Sequence, residues 1–366
     1  MTQLNPLATS LPATVPFVGP ETLERSRRAP FDARLGANES TFGPSPKAQE
    51  AIAAAAADAW MYGDPEVHDL RSAIAKYHKV RTGNVIVGEG IDGLLGYLVR
   101  LTLTEGDVAV TSAGAYPTFL YHVRGYGARV ATVPYKDDRE GIDALLDKAQ
   151  ETEAKLIYLA NPDNPMGTWH EGSAVQDMIE RLPEGTLLVL DEAYADTAPA
   201  DALPPLDAAD PRVIRMRTFS KAHGLAGLRV GYALGPRELI GAFDRVRNHF
   251  GLGRVAQAGA LAALKDQDYL KATVAKIEAS RAEIARIAEA NGLSALPSAT
   301  NFVAVDCGRD GDFARAVLAA LVERGIFVRM PGVAPLDRCI RVSCGGPEEM
   351  AALEAVLPEA LKAAGG

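Results

Sequence analysis

Cysteine is scarce in this chain of 366 residues, with Cys307, Cys339 and Cys344 the whole complement. An odd number at these spacings excludes a disulfide framework and matches no metal motif, and a reducing cytoplasm is the expected home. The six histidines are scattered, with no HExxH pair, which speaks against a catalytic metal. Positive charge is in deficit: 38 Lys and Arg stand against 47 Asp and Glu, for a net charge of −9. Nucleic acid is excluded as a main partner, because neutralising phosphates needs a basic surface. No basic amphipathic stretch suits an anionic membrane either. Long hydrophobic runs are missing. The N-terminus has no basic residues ahead of an apolar core, so it does not read as a signal peptide. The tract Ala51–Ala57 is too short to span a bilayer and reads as helix. Asn38-Glu39-Ser40 has the form of a glycosylation sequon, which means nothing without secretion.

What the chain does have is apolar mass, 48% of its residues, enough for a sizeable core. Its length suits two domains, or one large domain with an appendage. Residues 1 to 40 are rich in proline and glycine and read as an arm. From about 45 to 240, short apolar runs alternate with helical patterns. The expected strands are Val108–Thr111, Lys155–Leu159, Leu187–Leu190, Val213–Arg217 and Gly231–Leu234, and the expected helices Ile91–Leu103, Tyr116–Tyr126, Ile142–Thr152 and Ser173–Arg181. Such alternation predicts βαβ units: an α/β fold with a mostly parallel sheet covered by helices. After Gly241 the pattern changes to one long Ala-rich helix over Val255–Asn291. Short runs at Phe302–Val305, Ile326–Arg329 and Cys339–Ser343 follow, with helices over Asp312–Arg324 and from Pro347. The expected division is an arm over 1–40, a large domain over 41–246 and a smaller α+β domain over 247–366.

Several predicted strands end in polar residues. In an open parallel sheet, ligands bind beyond the carboxyl ends of the strands. Past Val213-Ile214-Arg215-Met216-Arg217 stand Ser220, Lys221 and Arg229. Most lysines are solvated surface charges, but one in a turn of small residues at a strand end can form a Schiff base, and the serine and arginine beside it could hold a phosphate. After Lys155–Leu159, the turn Asn161-Pro162-Asp163-Asn164-Pro165-Met166-Gly167 would fix an Asn amide. After Leu187–Leu190 comes Asp191-Glu192-Ala193-Tyr194. An acid closing a buried strand is costly unless it meets a cation, although a lone Asp at such a place is as readily a helix cap. Gly88-Glu89-Gly90-Ile91-Asp92-Gly93 opens a helix whose backbone N–H groups could cradle a phosphate. Tyr116 would bring an aromatic ring to the same crevice, though a lone Tyr is more often packing. Together these groups suit pyridoxal 5′-phosphate, whose aldehyde needs a lysine and whose ring nitrogen needs an acid.

The chain resembles the fold-type I pyridoxal-phosphate-dependent aminotransferases, and within them the histidinol-phosphate aminotransferases, over nearly its full length. Ala37-Asn38-Glu39-Ser40 with Gly43-Pro44-Ser45-Pro46 resembles the family's opening segment, and Tyr62-Gly63-Asp64-Pro65 with Leu70-Arg71 its Y-P-D-P…L-R segment. The N-P-x-N-P-x-G turn, the D-E-A-Y box and S-K-x-x-x-L-A-G-L-R follow in the family's order. The resemblance implies a large cofactor-binding domain, a smaller domain, and a homodimer with shared sites. In it Lys221 would be the Schiff-base lysine and the acid–base group, Asp191 the partner of the ring nitrogen, and Asn164 and Tyr194 the partners of the 3′-oxygen. Tyr116 would stack on the ring. Ser220, Arg229 and the backbone at Gly90, Ile91 and Asp92 would hold the phosphate, with Tyr62 reaching over from the other subunit. Arg341, assisted by Arg329 and Asn38, would bind the substrate. The implied reaction is ping-pong transfer from histidinol phosphate to 2-oxoglutarate, a step of histidine biosynthesis.

The alternatives are aromatic or other amino acids as donors, and decarboxylation of O-phosphothreonine. They stay open because Phe42, Met166 and Asn248–Gly253 depart from the histidinol-phosphate pattern at places expected near the substrate. A remoter alternative is an NAD-dependent dehydrogenase, since Gly88-x-Gly90-x-x-Gly93 matches the dinucleotide fingerprint. Against it, Glu105 and Asp107 precede the next strand instead of closing it. A non-catalytic binding module of the same fold would show a degraded site, whereas the lysine, aspartate, tyrosine and arginine are all present.

Overall fold

A computed structural model describes residues 3–13 and 18–365; the remainder of the expected N-terminal arm, residues 1, 2 and 14–17, lies outside them. Twelve strands occur among the described residues: β1 Ala33–Arg34, β2 Val85–Gly88, β3 Val108–Ser112, β4 Arg129–Val133, β5 Leu156–Ala160, β6 Leu187–Asp191, β7 Val213–Thr218, β8 Gly231–Leu234, β9 Ser294–Ala295, β10 Phe302–Asp306, β11 Ile326–Phe327 and β12 Cys339–Ser343. Seven form one sheet in the order β2-β8-β7-β6-β5-β3-β4. Every neighbouring pair is parallel except those that β8 makes with β7 and with β2.

The strand sequences explain this arrangement. β5, Leu-Ile-Tyr-Leu-Ala, is buried at all five positions, as expected for a strand covered on both faces. One layer of the core carries Tyr158, Val189, Met216 and Leu95, and the opposite one Ile157, Leu159, Leu190 and Val175. Helices Gly90–Thr102 and Pro117–Gly125 cover the first face, and Ile142–Thr152 and Gly172–Glu180 the second. β4 has no counterpart among the sequence expectations. It is an edge strand, mostly half-exposed, and its mixed composition lacks the apolar run that marks the buried strands.

The stretch expected as one helix is two, Arg254–Lys265 and Gln267–Ala290, broken at Asp266, whose carboxylate meets Lys47 Nζ at 3.1 Å. The break matters for the division of the chain. Leu252, Ala256, Ala260 and Leu264 pack with Val85, Val87 and Phe219 of the large sheet's surroundings. Leu270, Ile277 and Ile284 pack instead with β10, β12 and the helices Gly311–Glu323 and Pro347–Ala363. Packing therefore changes partner at Asp266, not at the expected boundary after residue 246. Ala33 and Leu35 belong to this second core too, and β1 pairs in parallel with β11.

Candidate active site

β3, β5, β6 and β7 run parallel, so their carboxyl ends share one edge of the sheet. The turns that follow enclose a cavity of about 410 Å³. Of the residues singled out in the sequence, Ile91, Asp92, Tyr116, Asn164, Asp191, Tyr194, Ser220, Lys221 and Arg229 line it. A second cavity of about 550 Å³ adjoins it, sharing Ala37, Tyr116, Asn164 and Lys221, and adding Asn38, Arg329 and Arg341.

At one end the groups suit an anion. Helix Gly90–Thr102 begins with Gly90 at φ +78°, and Arg229 Nη2 lies 2.5 Å from where a Cβ on Gly90 would stand. Gly231 permits a similar approach: a Cβ there would sit 2.7 Å from Ile91 N. Two glycines thus let the arginine and β8 close on a helix N-terminus, where backbone N–H groups and the helix dipole favour negative charge. Arg229 Nη1 donates to Ser220 Oγ at 3.4 Å, and Thr218 Oγ1 donates to the same oxygen at 2.9 Å. Arg229 also lies 3.6 Å from Asp92, an ion pair about half exposed on both sides.

At the other end stand a buried acid and an amine. Asp191 closes β6, and burial pushes its carboxyl up to about 6 despite hydrogen bonds from Tyr158 Oη at 2.7 Å and Ala193 N at 2.9 Å. Lys221 Nζ donates to the Asn38 carbonyl at 3.3 Å and lies 5.5 Å from the centre of the Tyr194 ring. Burial, helped by the charge of Arg341, lowers its amine to about 8. Asn38 Nδ2 donates to Tyr194 Oη at 3.0 Å, which fixes that phenol beside the lysine. Tyr116 Oη donates to Asp92 Oδ2 at 3.3 Å, and burial raises its phenol well above the usual range.

Arg341 projects from the centre of β12 and donates to the Asn164 side-chain oxygen and the Gly36 carbonyl. Its Nε is buried with no hydrogen-bond partner. Arg341 lines the second cavity, where a planar guanidinium is suited to a carboxylate or phosphate. Arg329, bridged to Arg341 through the backbone, gives its Nη2 to the Val18 carbonyl at 2.6 Å.

Tyr62, expected to serve the neighbouring subunit, stands outside this chain's own cavity: it is 78% exposed and its ring packs on Phe250 at 4.9 Å. Two expectations are corrected. None of the sequence departures lines either cavity. Met166 is buried with Ala304, Leu336 and Cys339, Phe42 lies on a groove beside Lys276 and Met350, and Asn248 lies with Glu89 and Tyr97. The dinucleotide reading also fails on topology, because β2 and β3, the strands flanking helix Gly90–Thr102, have four strands between them.

Among the polar lining residues, Glu39, Tyr158 and Thr218 were given no role by sequence reasoning. Thr218 closes β7 one step before the serine turn, a signal available in the sequence. Tyr158 is the single hydroxyl in an otherwise aliphatic strand, two residues from its end, and passes for ordinary β-sheet composition.

The chain matches the family model for aminotransferase class I and II over residues 33–356. It is 36% identical over 335 residues to histidinol-phosphate aminotransferase 1 of Mesorhizobium japonicum, covering 89% of this chain and 90% of the relative. It is 37% identical over 319 residues to histidinol-phosphate aminotransferase 2 of Pseudomonas aeruginosa, covering 86% and 85%. A histidinol-phosphate aminotransferase from Sinorhizobium meliloti, solved in complex with pyridoxal-5′-phosphate, superposes with a TM-score of 0.96. It is 55% identical, over 99% of this chain and 98% of that one.

Proposed function

The chain belongs to the class I and II aminotransferases, a pyridoxal-phosphate-dependent transferase, and on that premise we propose that it moves the amino group of histidinol phosphate to 2-oxoglutarate. The relatives matched over most of its length carry that donor in their names. The residues present fit the cofactor. A glycine-shaped helix start beside Ser220 and Arg229 suits its phosphate, and Asp191, with no arginine bonded to it, suits a ring cation. The observation that carries the reading is a lysine amine lowered to about 8, facing the same cavity as that acid.

When bound, the cofactor supplies a ring that accepts the electron pair left when a bond at the substrate's Cα breaks. The protein's own part follows from its geometry. Lys221 holds its amine against the Asn38 carbonyl and Tyr194, poised to take the proton from Cα. Its lowered value means that a substantial share is neutral, and hence basic, just above neutral pH. Asp191 would hold a negative charge for the cofactor's ring nitrogen. Asn164 is held by Arg341, so the amide that would meet the 3′-oxygen and the arginine that would meet the substrate's anionic end are set by one contact. The fork of Arg341 accepts a carboxylate or a phosphate, as alternation between two substrates requires.

Tyr62, exposed here, would reach the phosphate of a second copy, giving a homodimer with shared sites. The change of core at Asp266 supports a division of the chain there. No helix among the described residues is long and apolar enough to cross a membrane, and the three unpaired, buried thiols suit a cytoplasmic location.

The test is a half-reaction screen. Purified protein loaded with pyridoxal phosphate is mixed with histidinol phosphate, phenylalanine, tyrosine or O-phosphothreonine, and loss of the visible cofactor band is timed. Histidinol phosphate should react fastest. A faster reaction with a free amino acid, or release of carbon dioxide from O-phosphothreonine, would overturn the donor assignment.

A further inference from the structure

Tyr158 has no place among the roles described above, yet its hydroxyl touches the residue on which the cofactor's ring chemistry depends. The side chain is completely buried in the middle layer of the sheet. Its ring stacks on Phe119, with centroids 4.9 Å apart and planes tilted by 17°, which fixes the direction of the O–H. The oxygen donates to Asp191 Oδ2 at 2.7 Å, in the short range expected of an O–H donating to a carboxylate. Tyr158 on β5 lies two residues before Ala160, the register partner of Asp191 on β6. The two side chains meet because adjacent parallel strands end together.

We propose that Tyr158 is a positioning residue of the active site, donating to Asp191 Oδ2 so that this carboxylate stays ionised and pointed into the cavity. Asp191 needs such help. Among the described residues its only other hydrogen bond is from Ala193 N, to Oδ1. The titratable groups around it are Asp92 from the helix Gly90–Thr102, Tyr116 from the turn after β3, Glu140, Tyr194 and Lys221, besides Tyr158. Asp92 and Glu140 oppose ionisation by charge, and the charge of Lys221 favours it. Burial is the largest influence, and the bond from Tyr158 the largest of those that counter it. Tyr158 itself is pushed far above the usual phenol range by burial, so it remains a donor at every working pH. An incoming pyridinium finds a charged partner already oriented, which costs no reorganisation on binding.

This rests on the assignment of pyridoxal phosphate to the cavity, and the experiment separates the two. Tyr158→Phe keeps the ring and its stacking on Phe119 while removing the donor. The carboxyl carbon of Asp191 is followed by 13C NMR against pH in cofactor-free protein, identified by its loss in Asp191→Asn. The midpoint should rise in Tyr158→Phe, and an unmoved midpoint overturns the proposal whether or not the cofactor binds. Pyridoxal phosphate affinity is then measured against pH. The variant should bind roughly ten- to a hundredfold more weakly below the new midpoint, the range for a hydrogen bond to a charged group, with the gap closing as pH rises. In Asp191→Asn the further change Tyr158→Phe should have little effect. Additive losses would mean that Tyr158 acts through packing, and would overturn it too. Parent protein that failed to bind pyridoxal phosphate would refute the cofactor assignment alone.

Discussion

Two acids stand side by side at the end of β6 and meet opposite surroundings. Glu192, fully buried, receives hydrogen bonds from Arg215, through Nε at 2.9 Å and Nη2, and from Arg217 Nε at 2.8 Å. Burial alone would raise its carboxyl, but the two arginines outweigh it and hold the group below its usual value. Asp191, equally enclosed, has a phenol and a backbone N–H in place of arginines, and is raised. The sheet's pleat sends successive side chains to opposite faces, so one residue is fully compensated within the chain while its neighbour is left short of positive charge. That shortfall of positive charge suits the cationic ring of the cofactor.

The contrast can be broken from either side. Lys221→Ala removes a cation near Asp191 and should cost about 10⁴-fold in transamination, the upper end for a positioned acid–base group. Borohydride-reducible visible absorbance should vanish with it, and full turnover would refute the role. Glu192→Gln leaves two buried guanidiniums short of charge and should destabilise the fold by about 3–5 kcal/mol, read as a lowered denaturant midpoint. Asp191→Asn should do the reverse: stability at neutral pH held or raised, and activity down roughly 10²–10³-fold, as for loss of one preorganised electrostatic partner.

A subtler difference lies in pH. The raised value of Asp191 means that its contribution to apoenzyme stability is full below the unfolded value near 4 and fades as pH climbs through about 6. Asp191→Asn should abolish that decline, worth on the order of 3 kcal/mol. Glu192 runs the other way, its contribution present above its unfolded value and lost in acid. Because Glu140, near 8, and Asp163, near 7, also titrate, the comparison must be made as variant against parent. The smallest effect concerns rate. Capture of pyridoxal phosphate should quicken with pH to a midpoint near 8 as Lys221 becomes neutral, and a flat profile in stopped-flow absorbance would argue against a buried amine.

Much of the site was legible because its residues punctuate apolar runs. Asn164, Asp191, Tyr194, Ser220 and Lys221 follow β5, β6 and β7 within a few positions, and a polar residue just past a buried strand needs explaining. Tyr158 was hidden for the opposite reason, since an aromatic inside a strand needs none. The break at Asp266 is masked by alanines that favour helix on both sides. The edge strand β4 lacks two-sided burial and so lacks the pattern. Tyr62 shows a different limit, because its proposed task lies on a second molecule, beyond what contacts within one chain record.

The single reversed strand, β8, has a geometric consequence. Because β7 and β8 are antiparallel, the chain leaves the sheet at Thr218 and must return at Gly231, its register partner. Lys221 stands just after the departure and Arg229 just before the return, and Leu225 N folds back on the Phe219 carbonyl at 3.0 Å to hold the loop shut. The loop would thus set the spacing between the lysine proposed for the cofactor's aldehyde and the arginine proposed for its phosphate. A residue inserted between Ala222 and Leu228 would displace Ala226 and Gly227 from the cavity wall and shift Lys221 relative to Arg229, although every chemically active side chain would still be present.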